Sequence, residues 1–283
     1  MSESEKTTFQ GTFDLTITYR LDSDIYLGYG SFMNKTTNQK IKPNYFLDYD
    51  ENHVVGNLTE FGLTELVGRT KDIAWLVSHC NTTIKREDYV KELKKYKGLQ
   101  IDIYGGCGNK SLPIPKQWDG GWEVGYPVLG KNYKFYLAFE NTKCLDYITE
   151  KFFNALKSGM IPVVMGGLSK KDYETIAPPH SYIHVDDFPS PRDLMQKLYE
   201  ISKDPLQYNS YFWWKSYYNA VVLYDNQYSD PELQSWRIQG CQLCDVLNSE
   251  HITRNNYNDF TSFWYKCNNS IQLRKKFLKS PGH

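Results

Sequence analysis

The stretch YKFYLAFENTKCLDYITEKFFNALKSGMIPVVMGGL, residues 133–168, decides the fold. Residues 133–139 are aromatic and aliphatic, with the length and propensity of a strand. Residues 140–146 form a polar break. From Tyr147 the apolar residues move to helical spacing, with Ile148, Phe152, Ala155, Leu156 and Met160 along one stripe. The spacing predicts a helix that opens on Glu150-Lys151 and holds Gly159 in its last turn. Residues 161–165, IPVVM, make a short continuous apolar strand closed by Gly166-Gly167, as expected for a strand covered on both faces. Strand, loop, helix and strand in this order form one unit of a parallel sheet.

The same alternation continues outward. Residues 73–77 read as a strand, 86–97 as a helix and 100–104 as a strand ending in Gly105-Gly106. Residues 110–131 are a Pro/Gly/Trp-rich loop, and 182–185 a further strand. Ser190-Pro191 caps a helix reaching Lys203, with the stripe Leu194, Leu198 and Ile201. Towards the N-terminus, residues 12–19 and 25–29 are strand-like, followed by a Gly/Asn-rich stretch. This gives an α/β chain in three parts: a partial N-terminal domain over 1–68, a Rossmann-like domain over 69–235 and a Cys-containing tail over 236–283.

Lys151 is out of place for its position. A helix N-terminus carries partial positive charge and unpaired N–H groups, so a cation in the first turn is unfavourable by a few tenths of a kcal/mol. Two readings offset this: a solvated pair with Glu150, or a bound anion in a strand-to-helix cradle. Arg86 opens the helix after the strand at 73–77. A doubly wound sheet binds nucleotides outside the carboxyl ends of its strands, so both cations face one crevice and together suit a diphosphate.

The segment FYLAFEN, then DYITEK, then NAL-x-x-G-x-x-PVV-x-G closely resembles the signature of the α-1,3-fucosyltransferases of glycosyltransferase family 10. The resemblance extends on both sides. FDLTITYRLDSDIYLGYG (13–30) is similar to the family's N-terminal signature, with Leu21 where a second Arg is usual. IAWLVSHCN (73–81), the Arg86 segment, PPHSYIHVDDFPSP (178–191) and YNSYFWWK (208–215) match later parts.

This resemblance implies a GT-B arrangement, with a Rossmann-like C-terminal donor domain holding GDP-fucose and a shortened N-terminal acceptor domain. It implies transfer of L-fucose with inversion to a GlcNAc hydroxyl of a glycoprotein or glycolipid glycan. By the same resemblance, Arg86 and Lys151 contact the diphosphate and Glu150 the ribose. Tyr147, Tyr136 and Asn141 are donor contacts, with core packing as the alternative for both tyrosines. Glu140 is either a donor contact or a brace for the loop. The general base falls at Glu3, with Glu5 behind it, in a Glu3-Ser4-Glu5 context that lacks the family's proline. No metal or other cofactor is expected beyond the donor. Asp22-Ser23-Asp24 has a metal-binding spelling, but lies far in sequence from the donor loops.

Composition fits a globular enzyme. The 283 residues carry 33 basic and 33 acidic side chains, which gives no pointer to nucleic acid or a charged membrane surface. No apolar run approaches the roughly 18 residues of a spanning helix. Sequons at Asn34, Asn57, Asn81 and Asn268 and the six cysteines suit an oxidising lumen. Cys80 and Cys107 can bridge the ends of the first strand–helix–strand unit, while Cys144 and Cys267 have no evident mates. Six cysteines allow fifteen full pairings. Family members are type II Golgi membrane proteins, so the chain reads as a form lacking the anchor and stem. Two functions follow: a working fucosyltransferase, or an inactive remnant that only binds GDP-fucose. The cluster Tyr211-Phe212-Trp213-Trp214 is expected to pack inside rather than form a sugar platform.

Overall fold

The computed structural model describes residues 15–50, 65–112 and 124–222, together with Cys244 and Asn248. Its centre is a parallel sheet of five strands: β4 (Lys71–Leu76), β5 (Ile101–Tyr104), β6 (Tyr133–Phe139), β7 (Ile161–Met165) and β8 (Ile183–His184). Their spatial order is β5-β4-β6-β7-β8. The chain runs outward from β4 to β5, then returns to place β6 on the other side of β4. The order therefore reverses between β4 and β6, which makes a crevice outside their carboxyl ends.

Helices cover both faces. They are α1 (Arg86–Leu93), α2 (Gly125–Gly130), α3 (Glu150–Lys157), α4 (Lys170–Ile176), α5 (Pro191–Lys203) and α6 (Pro205–Ser210). One layer buries Phe152, Ala155 and Leu156 of α3 with Tyr136 and Ala138 of β6. The other buries Leu194, Leu198 and Ile201 of α5 with Phe135, Leu137 and Val163. A sheet buried on both sides explains why β6 and β7 read as continuous apolar runs rather than alternations. The end of α3 follows from Gly159, whose φ of 73° suits a residue without Cβ. There Met160 N–H donates to Ala155 O at 3.0 Å, and Gly159 N–H to Leu156 O at 3.0 Å. Ser190 caps α5, its Oγ accepting from Asp193 N–H.

The N-terminal segment packs against this body. Strands β1 (Ile17–Thr18) and β2 (Ile25–Tyr26) form a short parallel pair. Strand β3 (Gly30–Asn34) runs antiparallel to β9 (Tyr218–Val222), with Phe32 opposite Ala220. Phe32 is buried in the same cluster as Phe153, Trp214 and Tyr218. His180 lies between Tyr49 and Tyr211, with ring centroids 4.2 and 4.1 Å away. Tyr211, Phe212, Trp213 and Trp214 are all buried, as expected of packing residues.

Several boundaries differ from expectation. The helix expected over 86–97 ends at Leu93, because the following KKYKG run supplies little apolar surface to bury. The loop expected over 110–131 contains α2, whose Gly and Pro content hides it from propensity.

Candidate functional site

The crevice between the carboxyl ends of β4 and β6 is bridged by Arg86, the first residue of α1. Its side chain is buried, with Nη1 donating to Phe139 O at 2.5 Å and Nη2 to His79 O at 2.9 Å. One carbonyl closes β6 and the other follows β4, so the guanidinium ties the two strand ends together. Nε donates to Glu87 Oε1 at 3.3 Å, and the charge lies 5.6 Å from the Trp75 ring centroid. Three of the five N–H groups are thus used. One on each terminal nitrogen has no partner among the described residues. Among the described residues Glu87 is the one carboxylate in ion-pair reach, and it also accepts Thr82 Oγ1 at 3.0 Å on both oxygens. A buried cation with shared compensation and spare donors suits an anion.

Lys151 stands on the β6 side, in the first turn of α3. Its Nζ donates to Glu140 Oε2 at 2.9 Å, Thr149 Oγ1 at 2.6 Å and Glu150 Oε1 at 3.1 Å. Burial presses its pKa down, but the Glu140 and Glu150 carboxylates outweigh that and hold it above the ordinary lysine value. Glu140 is fully buried, and Oε1 also accepts Thr149 N–H at 2.8 Å. Glu140 is therefore the brace, joining the end of β6 to the start of α3. Thr149 completes the brace: it stands at the N-cap position of α3, with its hydroxyl turned to Glu140 and Lys151 rather than to the helix N–H groups.

The other expected residues divide. Asn141 follows Glu140 at the rim, and its Oδ1 is buried without a hydrogen-bond partner among the described residues. Tyr147 is half-buried and packs edge-on against Tyr19 at 5.1 Å and Tyr29 at 5.8 Å, so the N-terminal segment reaches the crevice wall. Burial, then the Glu140 carboxylate, raise the Tyr147 phenol pKa. Glu150 is part-exposed beside Lys151. Tyr136 is placed in the core: it is wholly buried, and its hydroxyl lies within hydrogen-bond distance of Leu76 O at 3.3 Å and Tyr126 Oη at 3.2 Å. Its side chain follows the face of β6 that α3 covers. Glu3 and Glu5 lie outside the described residues.

Asp172 and Asp146 belong to the same region; Asp146 opens the DYITEK run, but neither residue is assigned a role by the sequence. Asp172 Oδ2 accepts Asp146 N–H and Leu168 N–H, both at 2.8 Å, and so fastens the loop after β6 to the loop after β7. Asp146 Oδ2 accepts Leu21 N–H at 2.9 Å. Both loops entering the crevice carry a left-handed non-glycine residue, Lys85 (φ 51°) and Asp146 (φ 58°). Such strain collects at functional sites. Asp22 pairs with Arg20, and Asp24 accepts Thr16 N–H at 2.7 Å. Among the described residues no group of three or more His, Cys, Asp or Glu is placed to hold a metal ion. Cys80 and Cys107 are joined by a disulfide. Cys144 is also disulfide-bonded, against the expectation that it has no mate, while Cys244 is free.

A parallel sheet with reversed order is a Rossmann-like α/β domain, and its switch point, flanked here by Arg86 and Lys151, is where such folds bind nucleotides. The chain belongs to glycosyltransferase family 10: residues 66–264 match the model described as "Glycosyltransferase family 10 (fucosyltransferase) C-term". It is 36% identical over 274 residues to alpha-(1,3)-fucosyltransferase C of Drosophila melanogaster, covering 94% of this chain and 56% of that protein. It is 40% identical over 201 residues to glycoprotein 3-alpha-L-fucosyltransferase A of the same organism, covering 70% and 36%. The chain thus spans about half the length, or less, of these curated relatives. A crystal structure of an alpha1,3-fucosyltransferase with GDP superposes with a TM-score of 0.50 at 19% identity, covering 85% of this chain and 71% of that one. That likeness bears on the fold, which is the expected GT-B class. Nothing in these relationships supports the inactive-remnant reading.

Proposed function

We propose that the protein transfers L-fucose from GDP-fucose, in α-1,3 linkage and with inversion, to a GlcNAc hydroxyl of a glycoprotein or glycolipid glycan. The observation that carries this reading is the pair of cations at the switch point, Lys151 bonded to Glu140 and Arg86 with two N–H groups uncommitted among the described residues, in a chain of this family.

In this mechanism the acceptor hydroxyl gives its proton to a carboxylate and its oxygen attacks the anomeric carbon of β-linked fucose. The bond to the GDP oxygen breaks, and the electron pair leaves with GDP. Arg86 and Lys151 stabilise the growing diphosphate charge, preset before the reaction by the brace at Glu140 and Thr149. Glu150 bonds the ribose, while Asn141 and Tyr147 orient the donor. Glu3 is the proposed base, backed by Glu5. The reaction needs no metal, and its site is the Golgi lumen. The Cys80–Cys107 bridge suits that oxidising compartment. Among the described residues no helix is long and apolar enough to cross a membrane.

The test is a transfer assay on the chain secreted from a eukaryotic host, with GDP-fucose and with N-glycan-core and lactosamine acceptors, with and without EDTA. Addition of one deoxyhexose by mass, insensitive to EDTA, is the expected result. Folded protein that binds GDP but modifies neither acceptor would overturn the proposed transfer.

A further inference from the structure

The guanidinium of Arg86 is located by two carbonyls, and these differ in how firmly they are held. Phe139 closes a strand in the middle of the sheet and is wholly buried. His79 belongs to the connection between β4 and α1, which has no regular structure. The far end of that connection is fastened by Thr82 Oγ1 donating to Glu87 at 3.0 Å. Its near end is fastened to the turn after β5. Cys107 N–H donates to Val77 O at 3.1 Å, Gly106 N–H to Ser78 Oγ at 2.9 Å, and the Cys80–Cys107 disulfide closes the contact one residue beyond His79. Strand β5 is the edge of the sheet, so this turn has a neighbouring strand on one side only. The covalent bond is the one fastening here that thermal motion does not open.

We infer that the Cys80–Cys107 disulfide is a positioning element for the donor site: by fixing His79 O it sets the guanidinium of Arg86 across the crevice, and its loss weakens diphosphate binding through Arg86. This rests on the reading of Arg86 as a diphosphate contact. Placement errors at such sites are costly, an ångström being worth up to about a hundredfold. A roughly tenfold loss in GDP affinity is expected from opening the bridge while the sheet stays folded.

The experiment is a double-mutant cycle on GDP binding by the full chain, using Cys107→Ser, Arg86→Lys and the combination, with GMP titrated in parallel. Arg86→Lys is expected to weaken GDP by at least about tenfold, because one ammonium cannot reproduce the fork between two carbonyls and an anion. Cys107→Ser should weaken GDP by roughly tenfold and GMP by less. The two changes together should cost little more than Arg86→Lys alone, since both act through one guanidinium.

Full additivity, or an equal loss for GDP and GMP, would overturn the positioning role while leaving Arg86 as a donor contact. No effect of Arg86→Lys would instead overturn the Arg86 assignment and the inference with it. Should Cys107→Ser fold poorly, mild reduction and alkylation of the folded wild-type protein supply the same comparison, with labelling at Cys80 and Cys107 verified by mass. Unchanged GDP affinity in protein alkylated at those two positions would overturn the inference equally.

Discussion

The two cations at the switch point are held in opposite ways. Lys151 is enclosed by carboxylates, Glu140 at 2.9 Å and Glu150 at 3.1 Å. Arg86 is enclosed by carbonyls, with one carboxylate shared with Thr82. The difference separates two jobs. At Lys151 the charge is largely spent on the brace that orders the helix start, so an arriving diphosphate has to share it with Glu140. At Arg86 the charge is anchored but under-compensated, which leaves the attraction for an incoming anion. On the proposed function, Lys151 is chiefly a stability element with a binding role, and Arg86 chiefly a binding element.

The largest expected effect tests the first half of this contrast. Lys151→Ala leaves the buried Glu140 carboxylate without its cation, a change costing about 3–5 kcal/mol of stability. Adding Glu140→Gln should return much of that stability without restoring donor affinity. Thermal melts of the single and double variants check this, and an unaltered Tm for Lys151→Ala would remove the brace from the account.

Arg86→Ala should reduce GDP affinity by about 1.5–3 kcal/mol, the worth of a charge-assisted hydrogen bond, as read by calorimetry. If Lys151→Ala weakened GDP more than Arg86→Ala did, the division of labour would be reversed.

Gly166→Ala sharpens the contrast from the neighbouring strand. A Cβ there would lie 2.5 Å from Glu140 Cγ and 2.8 Å from Tyr173 Oη. Overpacking costs about 1–3 kcal/mol and would fall on the Lys151 side alone, with Arg86 unaffected.

The pH dependence follows from the sign of the Lys151 shift. Its folded pKa lies above the ordinary 10.5, so the stabilisation is fully present below 10.5 and is lost as pH rises through the folded value. The gap in stability between wild type and Lys151→Ala should be flat from about pH 6 to 9 and close only above about 10.5. A gap that narrows in the neutral range would show that another group controls it. Smallest of all, Tyr136→Phe should cost about 1 kcal/mol or less in stability and nothing in donor affinity. Lost affinity would return Tyr136 to the donor site.

The parts of this site that were legible in sequence are those set by local runs. The expected helix start at Glu150 is that of α3, which ends at Lys157, before Gly159. Strands at 133–139 and 161–165 coincide with β6 and β7, because a strand buried on both faces writes itself as an unbroken apolar run. Tyr136 shows the limit of that signal. In such a run both faces are apolar, so the side toward which a tyrosine turns is not encoded in alternation. Non-local pairings were hidden for a related reason. Strands β3 and β9 meet across almost the whole described chain, with Gly30 opposite Val222, and no local period records a partner so distant. Lys151 was conspicuous because a cation opposes a helix N-terminus, whereas the roles of Thr149, Asp146 and Asp172 rest on contacts between loops that no local run records.

The most direct test of the central claim, that this crevice holds the diphosphate of a sugar nucleotide, is a crystal structure of the full chain with GDP. The account predicts diphosphate oxygens within about 2.7–3.2 Å of both Arg86 and Lys151, with Glu140 still bonded to Thr149. A diphosphate bound elsewhere, with Arg86 and Lys151 keeping only their present protein partners, would contradict it.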